Sequence, residues 1–359
     1  MVLVHVPAVD PMRHGTPSRI RLLRAKGGAR VVAILVAVGS MTGLLGCGRE
    51  IQQPPGSATD PAVSVAAGDG FTCAARRSGD AVCWGLSTVV IRGVPPLRAV
   101  SASGDVACGV GRDAKAYCWT LENLGSPNDL LTYRVVARGV GSGVTVISSN
   151  VSTCILMKGG TEVGCANAPL TTLLNVAATT DRGHLVGAFS AGFPPCIAHL
   201  EMPGVRCGRS LQFPDVTGAR SISADRGVCI VDAAGTVRCT SPDRGIPAGL
   251  DRGVPTAQQV SVRDNVACAV TVAAEVWCWG KNIYGSLGDG SYDELGHESK
   301  AHRVKASLRF RSVSVGDDSH TCAVIEGGYV ACWGNNSMGQ LGMGDSDRRD
   351  GVVIATVVK

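Results

Sequence analysis

The cysteines are the residues of this 359-residue chain best placed to do chemistry, and their spacing narrows which chemistry it is. Of the 15, fourteen form pairs ten or eleven positions apart: Cys73/Cys83, Cys108/Cys118, Cys154/Cys165, Cys196/Cys207, Cys229/Cys239, Cys268/Cys278 and Cys322/Cys332. Paired thiols can hold a metal, exchange electrons or form a structural bridge. Structural zinc sites bring their cysteines within roughly two to four residues of each other, and thiol oxidoreductases carry Cys-x-x-Cys. Neither spacing occurs in this chain. The pattern therefore favours bridges, and no metal ligand set is expected.

A short hairpin is the element that must position each pair. In "HTCAVIEGGYVACWG" (320–334) a turn at Glu326-Gly327-Gly328 leaves three residues on each arm, which sets Cys322 opposite Cys332. Opposed residues that exchange no ladder hydrogen bonds lie about 4.5 Å apart at Cα, within reach of a disulfide. The pairs at spacing eleven keep this opposition if the turn grows to four residues. β-Branched runs precede the first cysteines, as in "VSVAAG" at 63, "AVSASG" at 99, "VTVISS" at 144, "QVSVRD" at 259 and "RSVSVG" at 311. Each unit thus reads as several short strands.

The units recur with a mean step of about 41 residues, which is the period of a repeat architecture. Glycine is abundant (47 residues), aromatics make up only 4%, and no long amphipathic helix stands out. The composition suits an all-β chain, and the repeat length predicts a seven-bladed β-propeller over residues 61–359 with one hairpin disulfide per blade.

Cys47 has no partner in this scheme. Basic residues Arg13, Arg19, Arg21, Arg24, Lys26 and Arg30 precede an apolar run from Val31 to Gly46, which has the layout of a secretory signal and is too short for an ordinary membrane span. Leu44-Leu45-Gly46-Cys47 resembles a bacterial lipobox, in which the cysteine is lipidated. Residues 1–46 are accordingly expected to be a lipoprotein signal peptide, starting at Met1 or Met12. Residues 47–60 are expected to be a lipid anchor followed by a flexible Pro- and Ser-containing tether. Gly48 after the anchor resembles the pattern directed to the outer membrane of the cell envelope. The 34 basic residues exceed the 29 acidic ones only because of this leader: without it each sign numbers 28, which removes the case for nucleic-acid binding. Export also places the paired cysteines where disulfides persist.

"GDDSHTCAVIEGGYVACWGNNSMGQLGMGD" (316–345) and "CWGKNIYGSLGDG" (278–290) resemble the repeat of the regulator of chromosome condensation family. Cys83-Trp84-Gly85 and Cys118-Trp119 keep its core, whereas the middle repeats keep mainly the cysteine spacing. The resemblance implies a seven-bladed ring. Because "VSVAAG" falls mid-repeat, the terminal "GVVIATVVK" is expected to complete the first blade, with Val352 to Val358 beside residues 63–85.

Catalytic signals are sparse. No Gly-x-Ser-x-Gly elbow, His-Glu-x-x-His helix or phosphate loop is present. "DDSH" (317–320) places neighbouring side chains on opposite faces of an extended chain, and His184, His199, His297 and His302 fall in unrelated repeat positions. Trp84, Trp119, Trp279 and Trp333 read as packing between blades, and His320 as a structural hydrogen-bonding residue. Asp345, Asp347 and Asp350 approach a calcium loop but are interrupted by Arg348 and Arg349. The expectation is a monomeric, membrane-anchored extracytoplasmic scaffold that binds a protein or glycan through propeller loops, with no cofactor and no catalysis. The alternatives are a cell-envelope glycan-acting enzyme and, more remotely, the guanine-nucleotide exchange for which the family is named.

Overall fold

The computed structural model describes residues 51–357, except 123–130, 142, 145, 150–151, 158–161, 168–176, 179–183, 192–194, 208–209, 241–245 and 248. The expected signal peptide and Cys47 lie outside the described residues. Apart from one three-residue 3-10 turn the described elements are strands, and no helix among them is long and apolar enough to cross a membrane.

Seven sheets follow one another along the described residues, six with four strands and one with three. Within each sheet consecutive strands pair antiparallel. The last sheet is typical: Phe310–Val315, His320–Ile325, Val330–Gly334 and Arg349–Ile354. The first strand of each sheet packs against the first strand of the next, and that of the seventh sheet against that of the first. These inner strands surround a central channel. Apolar clusters fill the gaps between neighbouring sheets, each built around one of the deeply buried tryptophans in four of the seven gaps. The protein is thus an all-β propeller.

The cysteines meet as the hairpin argument requires. Cys322 faces Cys332 across a turn at Glu326–Gly328, where Gly327 (φ 84°) and Gly328 (φ 77°) adopt the left-handed backbone that a side chain would resist. Six bridges have Cα separations of 4.0–4.1 Å: Cys73–Cys83, Cys108–Cys118, Cys196–Cys207, Cys229–Cys239, Cys268–Cys278 and Cys322–Cys332. Cys154 and Cys165 are opposed in register across residues 158–161, and Cys154 is disulfide-bonded.

Two expectations need correction. The C-terminal strand does not complete the first sheet. Arg349–Ile354 pairs with Val330–Gly334, in the register Cys332 to Val353 and Ala331 to Ile354. The first sheet supplies its own fourth strand, Thr88–Ile91, because only Gly85-Leu86-Ser87 separates it from Ala81–Trp84 and the chain can turn straight back. First and last sheets meet instead through side chains, in a cluster that joins Val65, Val82 and Trp84 to Val324, Val330 and Leu341.

Nor is the segment before residue 61 a free tether over its described part. Ile51–Gln52 pairs in parallel with Ala306–Ser307. The Gln53 amide donates to the Glu326 carbonyl (2.7 Å) and accepts from the Arg309 amide (3.2 Å). Ala58 N donates to the Gly327 carbonyl, and Asp60 accepts from the amide and hydroxyl of Ser78. Its polar residues, which suggested solvation, are spent on backbone groups of the sheets.

Candidate functional site

The inner strands explain the serine-rich runs. Such a strand has one edge without a ladder partner, and its amides must find acceptors elsewhere. Serines of the preceding sheet provide them. The amide of Val100 donates to Ser64 Oγ (3.2 Å), Ala224 to Ser190 (3.0 Å), Val262 to Ser223 (2.8 Å), Val315 to Ser261 (3.0 Å) and Ala67 to Ser314 (3.0 Å). The same serines line a channel cavity of about 280 Å³. The channel wall is therefore a hydrogen-bonded belt rather than a row of nucleophiles.

The inner strands run in one sense, so the turns that follow them gather at one mouth. Those turns carry Asp69, Asp105, Asp225, Asp264, Asp317 and Asp318. Arg263, at the end of the sixth inner strand and only 8% exposed, reaches across this mouth. Its Nε pairs with Asp317 Oδ1 (3.2 Å), while Nη1 donates to Ser103 Oγ (3.2 Å) and Nη2 to the Ala102 carbonyl (3.4 Å) on the second sheet. Asp317 Oδ2 also accepts from Gly104 N (2.9 Å). Asp225 accepts from Asp264 N (2.7 Å), and Asp318 from Asn335 (2.8 Å) and Gln340 (3.0 Å).

Crowding of like charges shows in their acidities. Burial, with the Asp317 and Asp105 carboxylates nearby, holds Asp69 above the usual carboxylate range. Burial and Asp225 raise Asp264, and burial raises Asp318 against the pull of its amide donors. The mouth is an acidic ring with one arginine bridged across it, suited to receive positive charge.

His320 and the neighbouring loops do different work. His320 is fully buried, and burial pushes its pKa down to about 4. The Thr72 hydroxyl donates to the Gln340 carbonyl (2.9 Å), so His320 Nε2 carries the proton and donates to Thr72 Oγ1 (3.1 Å). In the loop after Trp333, the buried Asn336 donates to the carbonyls of Asp345 and Asp347 and accepts from Leu341 N. This fold of the loop aims the Gln340 carbonyl at Trp84 Nε1 of the first sheet (2.9 Å). Asn282 shapes the preceding loop in the same way, and Ser286 O meets Trp333 Nε1 (2.8 Å). The glycine-rich loops are latches between sheets.

The other residues singled out in the sequence scatter. "DDSH" is divided: Asp317 faces Arg263, Asp318 the loop amides, and His320 the first sheet. Asp345 accepts from Arg349 (2.8 Å), and Asp350 pairs with Arg348 (2.9 Å). Among the described residues no three His, Cys, Asp or Glu side chains are grouped to hold a metal ion. His184 and His199, which the sequence did not connect, stand edge to face at 5.9 Å. His297 pairs with Asp293 (2.7 Å), and His302 sits opposite Cys278 on an outer strand. The acidic ring was missed, although its signal is present: an aspartate one to three residues after inner-strand runs, as in Gly68-Asp69, Gly104-Asp105, Arg263-Asp264 and Gly316-Asp317.

Comparison with known proteins agrees with this architecture. The model of the regulator of chromosome condensation (RCC1) repeat matches residues 62–89 and 310–340, the two sheets that meet through Thr72 and His320. The chain carries RCC1-like repeats. The human E3 ubiquitin-protein ligase HERC2 is 37% identical over 82 residues, covering 23% of this chain and 2% of that protein. The ultraviolet-B receptor UVR8 of Arabidopsis thaliana is 35% identical over 92 residues, covering 26% and 20%. The RCC2 homologue of Xenopus laevis is 34% identical over 98 residues, covering 26% and 19%. The match thus spans no more than 20% of the length of these relatives. Among solved structures, Prp20p of Saccharomyces cerevisiae superposes with a TM-score of 0.52 at 15% identity, covering 70% of this chain and 80% of that one. The ectodomain of the Arabidopsis thaliana receptor kinase ACR4 gives 0.52 at 17%, covering 80% and 98%. At these identities the likeness is one of fold, and the RCC1-like repeats here account for the latching loops and tryptophans.

Proposed function

We propose that this protein is a membrane-anchored extracytoplasmic binding scaffold, lipidated at Cys47, whose acidic channel mouth receives a cationic segment of a protein partner. The observation that carries the reading is the ring of six aspartates at one mouth, with Arg263 and Arg226 the arginines that pair with them among the described residues. Several of these carboxylates are already held by amides and by Arg263, which fits a fixed electrostatic surface better than a proton-transfer site. Catalysis is not part of the proposal.

A second reading has one specific observation in its favour. Asp69, Asp264 and Asp318 have pKa values raised above the usual carboxylate range beside a channel, a property shared with acids that protonate glycosidic oxygens. A glycan-acting enzyme would need two of them poised across a bound sugar.

Two experiments test the proposal. Cys47→Ser should move the protein from the membrane to the soluble fraction; quantitative retention on membranes would refute the anchor. Oxidised full chain, used as bait for envelope and secreted proteins, should yield cross-links to the acidic mouth, whereas release of reducing sugar from cell-envelope glycans would favour the enzyme.

A further inference from the structure

The two faces of the ring differ in two respects, and both bear on which one meets a membrane. The first is where the chain enters. Turns between second and third strands gather at the mouth opposite the aspartates, together with the starts of the inner strands. Leu97 N donates there to the Gly79 carbonyl, Ala257 N to Gly235 and Phe310 N to Ala274. Residues 51–60 are docked on this same face, through Gln53 to Glu326 and Arg309, Ala58 to Gly327 and Asp60 to Ser78. Ile51, four residues after Cys47 in sequence, therefore lies on the face opposite the acidic ring.

The second is charge. Exposed Arg77, Arg112, Arg220 and Arg309 stand on the entry face beside acids such as Asp80, Asp113 and Glu326. Among the described residues, the turns after the inner strands at the opposite mouth carry six aspartates, paired with Arg263 and Arg226. An anionic bilayer repels the acidic mouth and tolerates the entry face, where arginines can meet lipid phosphates. Apolar side chains are exposed on both faces: Leu185 (44%), Leu200 (47%) and Val272 (62%) on the entry face, where Leu200 N donates to the Leu185 carbonyl and Val272 N to the Thr256 carbonyl, and Tyr292 (43%) and Leu295 (82%) on the aspartate side.

We infer that the entry face is a lipid-facing surface, and that residues 51–60 act as a strap that holds it against an anionic bilayer with the acidic mouth turned outward. The inference rests on the anchoring proposed above. A long free tether would let the ring tumble and present either mouth. With Ile51 docked, four residue steps separate the entry face from Cys47, each spanning at most about 3.5 Å. That length is too short for the acidic mouth to reach the surface.

The test uses the full-length protein in vesicles of phosphatidylcholine with phosphatidylglycerol, compared with the same protein in detergent, by hydroxyl-radical footprinting. The mass of the N-terminal peptide is read in parallel. Protection of Leu185, Leu200 and Val272 in vesicles, with Tyr292 and Leu295 on the aspartate side unchanged, is the expected result. Gln53→Ala, which removes the two side-chain hydrogen bonds of Gln53, should keep the acyl group and lose that protection severalfold. An acylated protein with Tyr292 and Leu295 protected, or with neither set protected, would overturn the inference and leave the anchor standing. An N-terminal peptide without an acyl chain would remove the anchor and the inference together. Protection undiminished in Gln53→Ala would show that the strap does not set the orientation.

Discussion

The ring of His320 stands 3.1 Å from the hydroxyl of Thr72 across 248 residues of sequence, and this contact fastens the last sheet of the propeller to the first. It is also a titratable joint. Burial lowers His320 from 6.5 to about 4, so between those values the unfolded chain takes up a proton that the folded chain refuses. The stability His320 supports is fully present above pH 6.5 and is lost as pH falls toward 4, by an amount on the order of 3 kcal/mol. Urea midpoints measured across this window should fall with pH in the native protein and fall less steeply in His320→Gln. Equal slopes in both would show that His320 does not titrate in this way.

The aspartates of the mouth act with the opposite sign. Asp69, Asp264 and Asp318 have raised pKa values, so their folded forms hold protons that the unfolded chain has released. Their contribution is fully present below the ordinary carboxylate value and lost as pH rises through the folded values. Asp69→Asn should therefore raise the urea midpoint at neutral pH more than at pH 3, and a uniform shift would argue against the crowding described.

Arg263 and Asp317 form a pair largely withdrawn from water, and breaking such a pair leaves an uncompensated charge. Arg263→Met should cost about 3 kcal/mol, and Arg263→Met with Asp317→Asn should recover much of the loss. Additive losses in the double variant would mean that the two side chains stabilise independently.

The latch formed by Asn336 is tested by Asn336→Ala. The change leaves Leu341 N and the Asp345 and Asp347 carbonyls without their partner and should cost about 2 to 3 kcal/mol. The fluorescence of Trp84, whose Nε1 depends on the Gln340 carbonyl, should change with it. A variant of native stability would reduce the loop to a surface ornament.

Much of this fold is legible in the sequence because covalent and steric demands act locally. Nine residues between Cys322 and Cys332, Gly327 and Gly328 among them, admit few conformations other than the hairpin. The repeat spacing then yields the propeller. What the sequence does not disclose depends on long-range choice. The strand at 349–354 has equally suitable edges in the first and last sheets, and the short turn after Trp84 decides the matter by filling one of them. The Pro- and Ser-containing segment before residue 61 resembles a linker until Gln53 and Asp60 are seen against the backbone groups they satisfy. The acidic ring is assembled from turns that lie far apart in the chain, and single aspartates in turns are unremarkable until the ring brings them to one mouth.

The measurement that tests the account most directly is cross-linking capture, at low and high salt, by the oxidised native chain and by the variant Asp69→Asn with Asp105→Asn, using envelope and secreted proteins as prey. The account predicts a partner whose lysine- or arginine-rich segment cross-links to the turns at the aspartate mouth, and whose capture falls with salt and falls again in the variant. A partner captured equally by both proteins and indifferent to salt, with its cross-links elsewhere on the ring, would contradict it.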